Sequence, residues 1–318
     1  MKNTLPDNAP RRPGIAIVAP GGYAPDEDAF RLALARLEGN GWLVHNYYDP
    51  ARKHQRFGGS DTDRIGQLHA AARDPDVDII IALRGGYGMS RLLPLLDYEL
   101  LAASGKRIVG HSDVTALQLA LLAATGAPSF AGPMICDDFT RPEPSRYAIQ
   151  SLTDCLRGPC HQVSWQGNDS GALDVSGRLW GGNLAMVVHL LGTPYLPQVD
   201  GGILFVEDIN EHPYRVERML LQLLHAGVLG RQRALVLGDF SAYRLSEYDN
   251  GYSFSSMLAY LREVLPLPVV TGLPFGHIPD KATLAVGSQG RLQVTDIETS
   301  VSMTGYPGLS MLQGCMLS

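Results

Sequence analysis

Two stretches decide the fold: IIIALRGGYG at 79–88 and IVGHSDVTALQLALL at 108–122. Ile79 to Leu83 is short and apolar throughout, the pattern of a fully buried strand, and a glycine-rich turn follows it. Ile108-Val109 is a second, shorter strand. After it, Val114, Leu117, Leu121 and Ala124 fall on one face of a helix that stops at Gly126. Toward the N-terminus, GIAIVA at 14–19 is a strand stopped by Pro20-Gly21-Gly22. A helix then places Phe30, Leu34 and Leu37 on one face and ends at Gly39-Asn40-Gly41. Trp42-Leu43-Val44 begins another strand, and Asp61 heads a helix through Ile65, Leu68 and Ala72. Toward the C-terminus, residues 136–176 carry Pro142, Pro144 and Pro159, scattered charges and no sustained period. They read as a connection between lobes. Beyond them come Trp180-Gly181-Gly182-Asn183, a strand at Ile203–Val206, and a helix with Val216, Met219, Leu220, Leu223 and Leu224 on one face. Leu235–Leu237, a helix with Met257, Leu258, Leu261 and Val264, and strands at Val269-Val270 and Leu292–Val294 follow. Strands alternating with helices in this way predict an α/β fold with a mostly parallel sheet. The expected division is a first lobe over 1–140, a connection over 141–176 and a second lobe over 177–318.

Composition narrows the function. The 318 residues, 45% of them hydrophobic, are enough for about two domains with a full core. Lys plus Arg total 26 against 32 Asp plus Glu, a net charge of −6. That argues against a non-specific nucleic-acid binder, which needs a basic face. No apolar run approaches the roughly 20 residues of a membrane span. The opening segment MKNTLPDNAPRRPG is polar and lacks the apolar core of a secretory signal, so a cytoplasmic protein without membrane contact is expected. Cys136, Cys155, Cys160 and Cys315 form no C-x-x-C pair and read as free thiols. No H-E-x-x-H or tight histidine cluster is present, so no metal site is expected.

In α/β sheets ligands collect beyond the carboxyl ends of strands, and four places there carry chemistry. Gly110-His111-Ser112-Asp113 puts a serine on a strand-to-helix turn, where helix N–H groups favour an alkoxide or oxyanion. It departs from the G-x-S-x-G elbow, because Val114 stands at the second glycine, and Ser112 equally fits a helix cap. Arg84-Gly85-Gly86-Tyr87-Gly88 reads either as a plain turn or as a cradle of backbone N–H groups for an anion. It is neither a P-loop nor a dinucleotide fingerprint, which counts against a nucleotide-binding, non-enzymatic α/β protein. Glu207-Asp208 ends an apolar strand and suits either a turn or the orienting of a histidine. His277 follows Gly276 in a loop, where it is a surface residue or a proton carrier near neutrality. Together, Ser112, Glu207 and His277 supply a nucleophile, an orienting acid and a base in the order Ser–Glu–His.

The residues resemble the serine LD-carboxypeptidases, the muramoyltetrapeptide carboxypeptidases. The matching blocks are IAIVAPGGY at 15–23, RGGYGMSRLLPLLD at 84–97, GHSDVTALQLALL at 110–122, LWGGNLAM at 179–186, GILFVEDINEHPYRVERMLLQLLHAGVL at 202–229 and TGLPFGH at 271–277. The resemblance implies an N-terminal flavodoxin-like lobe with the serine and a smaller C-terminal α/β lobe with Glu and His, distinct from the α/β-hydrolase fold. It implies Ser112 as nucleophile, His277 as base and Glu207 as orienting acid. The N–H of Asp113 and one from Gly85 or Gly86 match the oxyanion hole. No cofactor is implied. The implied substrate is a murein tetrapeptide or muropeptide, which loses its terminal D-alanine during cell-wall recycling, and the implied assembly is a homodimer. Recognition of the terminal carboxylate makes Arg84 a candidate, with Trp180 and Asn183 as candidates for the substrate wall. A second branch is similar to the microcin-C self-immunity peptidases; the WGGN and LFVEDINEHPYRVERM blocks favour the recycling branch.

Overall fold

The computed structural model describes residues 11–166 and 171–309, so Cys315 and most of the polar opening segment lie outside the described residues. In the first lobe, strands β1 (Gly14–Val18), β2 (Leu43–Asn46), β3 (Ile79–Ala82), β4 (Arg107–Gly110) and β5 (Ser129–Ala131) alternate with helices. The helices are α1 (Glu27–Gly39), α2 (Asp61–Arg73), the short α3 (Met89–Leu92) and α4 (Tyr98–Ala103), and α5 (Thr115–Thr125). The five strands are parallel in the order β2-β1-β3-β4-β5, the flavodoxin-like order. Every residue of β1 and β3 is buried, because helices cover both faces of the sheet. The order reverses between β1 and β3, so the loops leaving these strands diverge and open a crevice. Those loops are the two glycine-rich segments, and the Gly22 N–H donates to the Gly85 carbonyl across 2.9 Å.

Helix α5 differs from its expected single apolar face. All eight residues from Thr115 to Leu122 are buried, while Ala124 is exposed. The helix lies between the first sheet and the second lobe, so it has no solvent side along that length.

The stretch 141–176, expected to connect the lobes, holds α6 (Arg146–Arg157) and β6 (Cys160–Trp165). Ser145 caps α6 by accepting the Ala148 N–H, and Leu152 and Leu156 pack beside Ile15, Leu37, Trp42 and Ile79 of the first lobe. Its buried face also includes Ser151, Thr153 and Cys155, which blur an apolar period.

The second lobe contains β7 (Leu173–Asn183), α7 (Leu184–His189), β8 (Ile203–Ile209), α8 (Pro213–His225), β9 (Ala234–Ser241), α9 (Phe254–Val264) and β10 (Val269–Val270). The chain then crosses over. β11 (Leu284–Val286) pairs antiparallel with β5 in the first sheet, before β12 (Gln289–Val294) and β13 (Thr299–Thr304) return to the second. The second sheet runs β10-β9-β8-β7-β12-β13-β6, parallel from β10 to β7 and antiparallel from β7 to β6. With seven strands against six, it is the larger sheet, and its lobe is not one contiguous segment. Among the described residues no helix is long and apolar enough to cross a membrane. Cys136, Cys155 and Cys160 are free, and burial pushes the first two thiols up to about 12.

Candidate active site

Ser112 leads a single 3-10 turn, Ser112–Val114, which runs from the end of β4 into α5. Its φ is +60°, a left-handed conformation that costs an ordinary L-residue about 1–2 kcal/mol. Two contacts hold this turn against the glycine loop. The Asp113 carboxylate, buried beneath the turn, accepts the Met89 N–H at 2.9 Å. Burial raises its pKa, although the Met89 bond opposes the rise. Gly85 presses on Ser112 itself. A Cβ there would lie 2.9 Å from Ser112 Cβ, 3.0 Å from Oγ and 3.2 Å from the Asp113 nitrogen, so only glycine fits. The glycine loop therefore borders the serine hydroxyl and the Asp113 amide together.

The opposite wall comes from the second lobe. Glu207 and Asp208 lie within β8, not beyond it, at a register shift between Val206 and Asp208. In a regular strand adjacent side chains point to opposite faces; a bulge re-aims them. Here both carboxylates reach one amide group. Asn183 Nδ2 donates to Glu207 Oε1 at 3.3 Å and to Asp208 Oδ1 at 3.0 Å. Asp208 also accepts the Ala185 N–H, and burial pushes its pKa up to about 6. The other oxygen of the fully buried Glu207 is 2.8 Å from His277 Nδ1. Burial draws the imidazolium down, but the hydrogen bond and charge of Glu207 outweigh it, and the His277 pKa is raised. A carboxylate on Nδ1 leaves Nε2 to exchange a proton.

The two walls meet through His111, whose ring centroid is 5.1 Å from that of His277. His111 Nδ1 lies 2.9 Å from the Gly132 carbonyl, an acceptor only, which assigns the proton to Nδ1. Burial, together with Lys281 and His277, lowers its pKa well below the ordinary value, so the ring is neutral. The structure makes the Glu207–His277 link and sets it beside the Ser112 turn. Among the described residues the His277 side-chain hydrogen bond is to Glu207, and none joins it to the Ser112 hydroxyl.

The remaining expected residues separate clearly. Trp180 is 1% exposed, with its indole N–H donating to Gln232 at 2.9 Å inside the second lobe. Asn183 is also buried, and its contacts are to the two carboxylates and to the Met186 N–H that it caps. Its amide links the Glu207 and Asp208 carboxylates. Arg84 is half-buried beside Gly22, forms no ion pair among the described residues, and has a buried Nε without a partner. Gly86 is exposed at φ +97°. His111 and Asp208 stand inside strand-end segments the sequence singles out, though neither is given a role there, and Thr115, whose hydroxyl accepts the Asn183 N–H at 3.0 Å, lies outside them. Asp208 had a signal in its adjacency to Glu207; Thr115 had none. A cavity of about 930 Å³ lined by Arg36, Phe139, Ile149 and Asp280 contains none of the three triad candidates. Here the chemistry, not the volume, locates the site.

Comparison with known proteins places the chain in a family. Residues 15–132 match the model of the LD-carboxypeptidase N-terminal domain, and residues 176–292 match that of the LD-carboxypeptidase C-terminal domain. The murein tetrapeptide carboxypeptidase of Pseudomonas aeruginosa is 31% identical over 272 residues, covering 83% of this chain and 87% of that one. The crystal structure of muramoyltetrapeptide carboxypeptidase from Oxalobacter formigenes matches with a TM-score of 0.89 and 51% identity, over 92% of this chain and 99% of that one. The microcin C7 self immunity protein MccF matches with a TM-score of 0.84 over 94% of this chain and 98% of that one; at 21% identity the likeness is one of fold. The chain belongs to the LD-carboxypeptidase family and is a serine-type carboxypeptidase.

Proposed function

We propose that this enzyme removes the terminal D-alanine from peptidoglycan tetrapeptides, cutting the L,D bond after meso-diaminopimelate or L-lysine through an acyl-enzyme on Ser112. The observation that carries the proposal is the Glu207–His277 pair, at 2.8 Å, standing beside a serine held at positive φ. His277 Nε2 takes the Ser112 proton as Oγ attacks the carbonyl carbon of the penultimate residue. The N–H of Asp113 and that of Gly85 or Gly86 hold the oxyanion. As the tetrahedral intermediate collapses, the C–N bond breaks and D-alanine leaves with the proton from His277. Water, deprotonated by the same imidazole, then releases the tripeptide and restores the serine. Glu207 keeps the ring oriented and stabilises the imidazolium between these steps. Arg84, a cation with no ion pair among the described residues, at the edge of the glycine loop, binds the substrate's terminal carboxylate. Murein-related family members support a peptidoglycan-derived substrate. We further propose that the enzyme acts in the cytoplasm, in cell-wall recycling, as a homodimer.

The test is mass spectrometry of a digest of synthetic L-Ala-γ-D-Glu-meso-Dap-D-Ala. The expected result is loss of one D-alanine with the tripeptide left whole. An unchanged tetrapeptide, or cleavage at another bond, would overturn the assignment.

A further inference from the structure

The segment that carries His277 changes lobes within ten residues. At its start it belongs to the second lobe: the Phe275 carbonyl accepts the Asp239 N–H at 2.8 Å, and His277 binds Glu207. By Leu284 it is a strand of the first sheet. Between these points three side-chain links tie it to the first lobe and its covering helix. Ser145 donates to Asp280 at 2.6 Å, and the Thr283 N–H donates to Ser151 of α6 at 2.9 Å. The third link is an ion pair between Lys281 and Asp138. Lys281 is 1% exposed and Asp138 is 6% exposed. The second Asp138 oxygen accepts the Met134 N–H at 2.8 Å, so the carboxylate is anchored to the loop that follows β5.

We propose that the buried Asp138–Lys281 ion pair is a positioning device, which docks the His277 segment of the second lobe onto the first lobe and so fixes where the imidazole meets Ser112. The inference rests on the proposed role of His277. A buried ion pair is a poor source of stability, because desolvation offsets most of its attraction and an apolar pair of the same volume often serves as well. Its directionality is what an apolar pair lacks. The pair also points its cationic end at the site: Lys281 draws the pKa values of both His111 and His277 down. The other charged and titratable groups around His277 are Glu207 and Asp208 of β8, His111 before α5, and Asp239, whose Cβ lies 3.0 Å from where a Gly276 Cβ would sit.

The full-length variant D138N/K281M tests this. Asn keeps an acceptor for the Met134 N–H, and Met keeps the length of the lysine stem. A misplacement of about 1 Å at a reacting group lowers kcat by about 10²-fold, and that loss is expected here with KM little changed. The His277 ring signal, assigned by its absence in H277Q and followed by NMR in the free protein, should titrate at higher pH than in the wild type. The acid limb of kcat/KM should move the same way. K281R, which retains the pair, should restore wild-type values. A merely structural role would lower Tm while leaving kcat and KM at wild-type values in the folded variant. A folded D138N/K281M with wild-type kcat would overturn the proposal, whatever its midpoint. If that variant does not fold, D138N/K281Q, which keeps a hydrogen bond without the charges, must still raise the midpoint; an unmoved midpoint there overturns it equally. Because the NMR titration needs no substrate, a wrong assignment of the reaction would leave this readout intact.

Discussion

Ser112 holds a backbone conformation that its side chain resists, with φ at +60°. Such strain persists only where the surroundings over-determine it, and here Gly85 and the Asp113–Met89 bond do so. Activity and stability should therefore separate at this position. Ser112→Ala and Ser112→Gly should each lose at least ~10³-fold in kcat, since both lack the nucleophile. Glycine relieves the left-handed strain, so Ser112→Gly should be the more stable of the two by about 1 kcal/mol in urea unfolding. Equal stabilities would mean that the turn is not strained. His277 makes a second residue-scale prediction. As a base it must be neutral, and Glu207 raises its pKa above the ordinary histidine value of about 6.5. As pH falls through the raised value the imidazole is protonated and kcat/KM drops. The acid limb should lie above about 6.5 and should fall to lower pH in Glu207→Gln, where burial acts without the carboxylate. An acid limb that ignores Glu207→Gln would detach the profile from His277.

At the scale of elements, the site is made by irregularities in otherwise regular strands. The shift in β8 lets Glu207 and Asp208 share Asn183, and the glycine before His277 lets the next segment pass over them. Gly276 has φ +141°, and a Cβ there would lie 3.0 Å from Asp239 Cβ and 3.2 Å from Glu207 Oε2. Gly276→Ala should therefore push the His277 segment away from Glu207, lowering kcat by about 10²-fold while steady-state binding of the tetrapeptide is kept. A kinetically silent Gly276→Ala would show that the segment tolerates the shift. These features also mark where sequence reading ends. The buried strands and α8 were legible because Ile79–Leu83 and Val216–Leu224 carry strong apolar patterns. β6 was not, because only Val163 and Trp165 of its six residues are buried. α6 hides its buried face behind Ser151, Thr153 and Cys155. The chemistry-bearing residues stood out because each lies beside a glycine or at the end of an apolar run. What held them was invisible: a bulge leaves no residue signature in β8, and Trp180, beside Asn183 in sequence, turns out to be core.

At the scale of the whole molecule the two lobes are interleaved. Helix α5, which begins at the Ser112 turn, is buried between them from Thr115 to Leu122. β11 is a strand of the first sheet flanked in sequence by elements of the second. Opening either lobe must strip the other of packing or of a strand. Two-lobed proteins often unfold in separate steps, but this connectivity makes a single transition the expectation. Tryptophan placement makes that measurable. Trp42 is buried in the first lobe, whereas Trp165 and Trp180 belong to the second. In W165F/W180F the only fluorescent indole is Trp42, and Gln232 loses the indole donor it holds at 2.9 Å. An unsatisfied buried amide costs about 1–3 kcal/mol, all of it incurred in the second lobe. If the lobes unfold together, Trp42 must report that loss, with a urea midpoint lowered from the wild type and coincident with far-UV circular dichroism. A Trp42 transition that keeps its own midpoint while circular dichroism shows two steps would mean that the lobes are independent. The catalytic crevice would then be a junction between separately stable bodies, and the placement of His277 against Ser112 would depend on their docking and not on one shared fold.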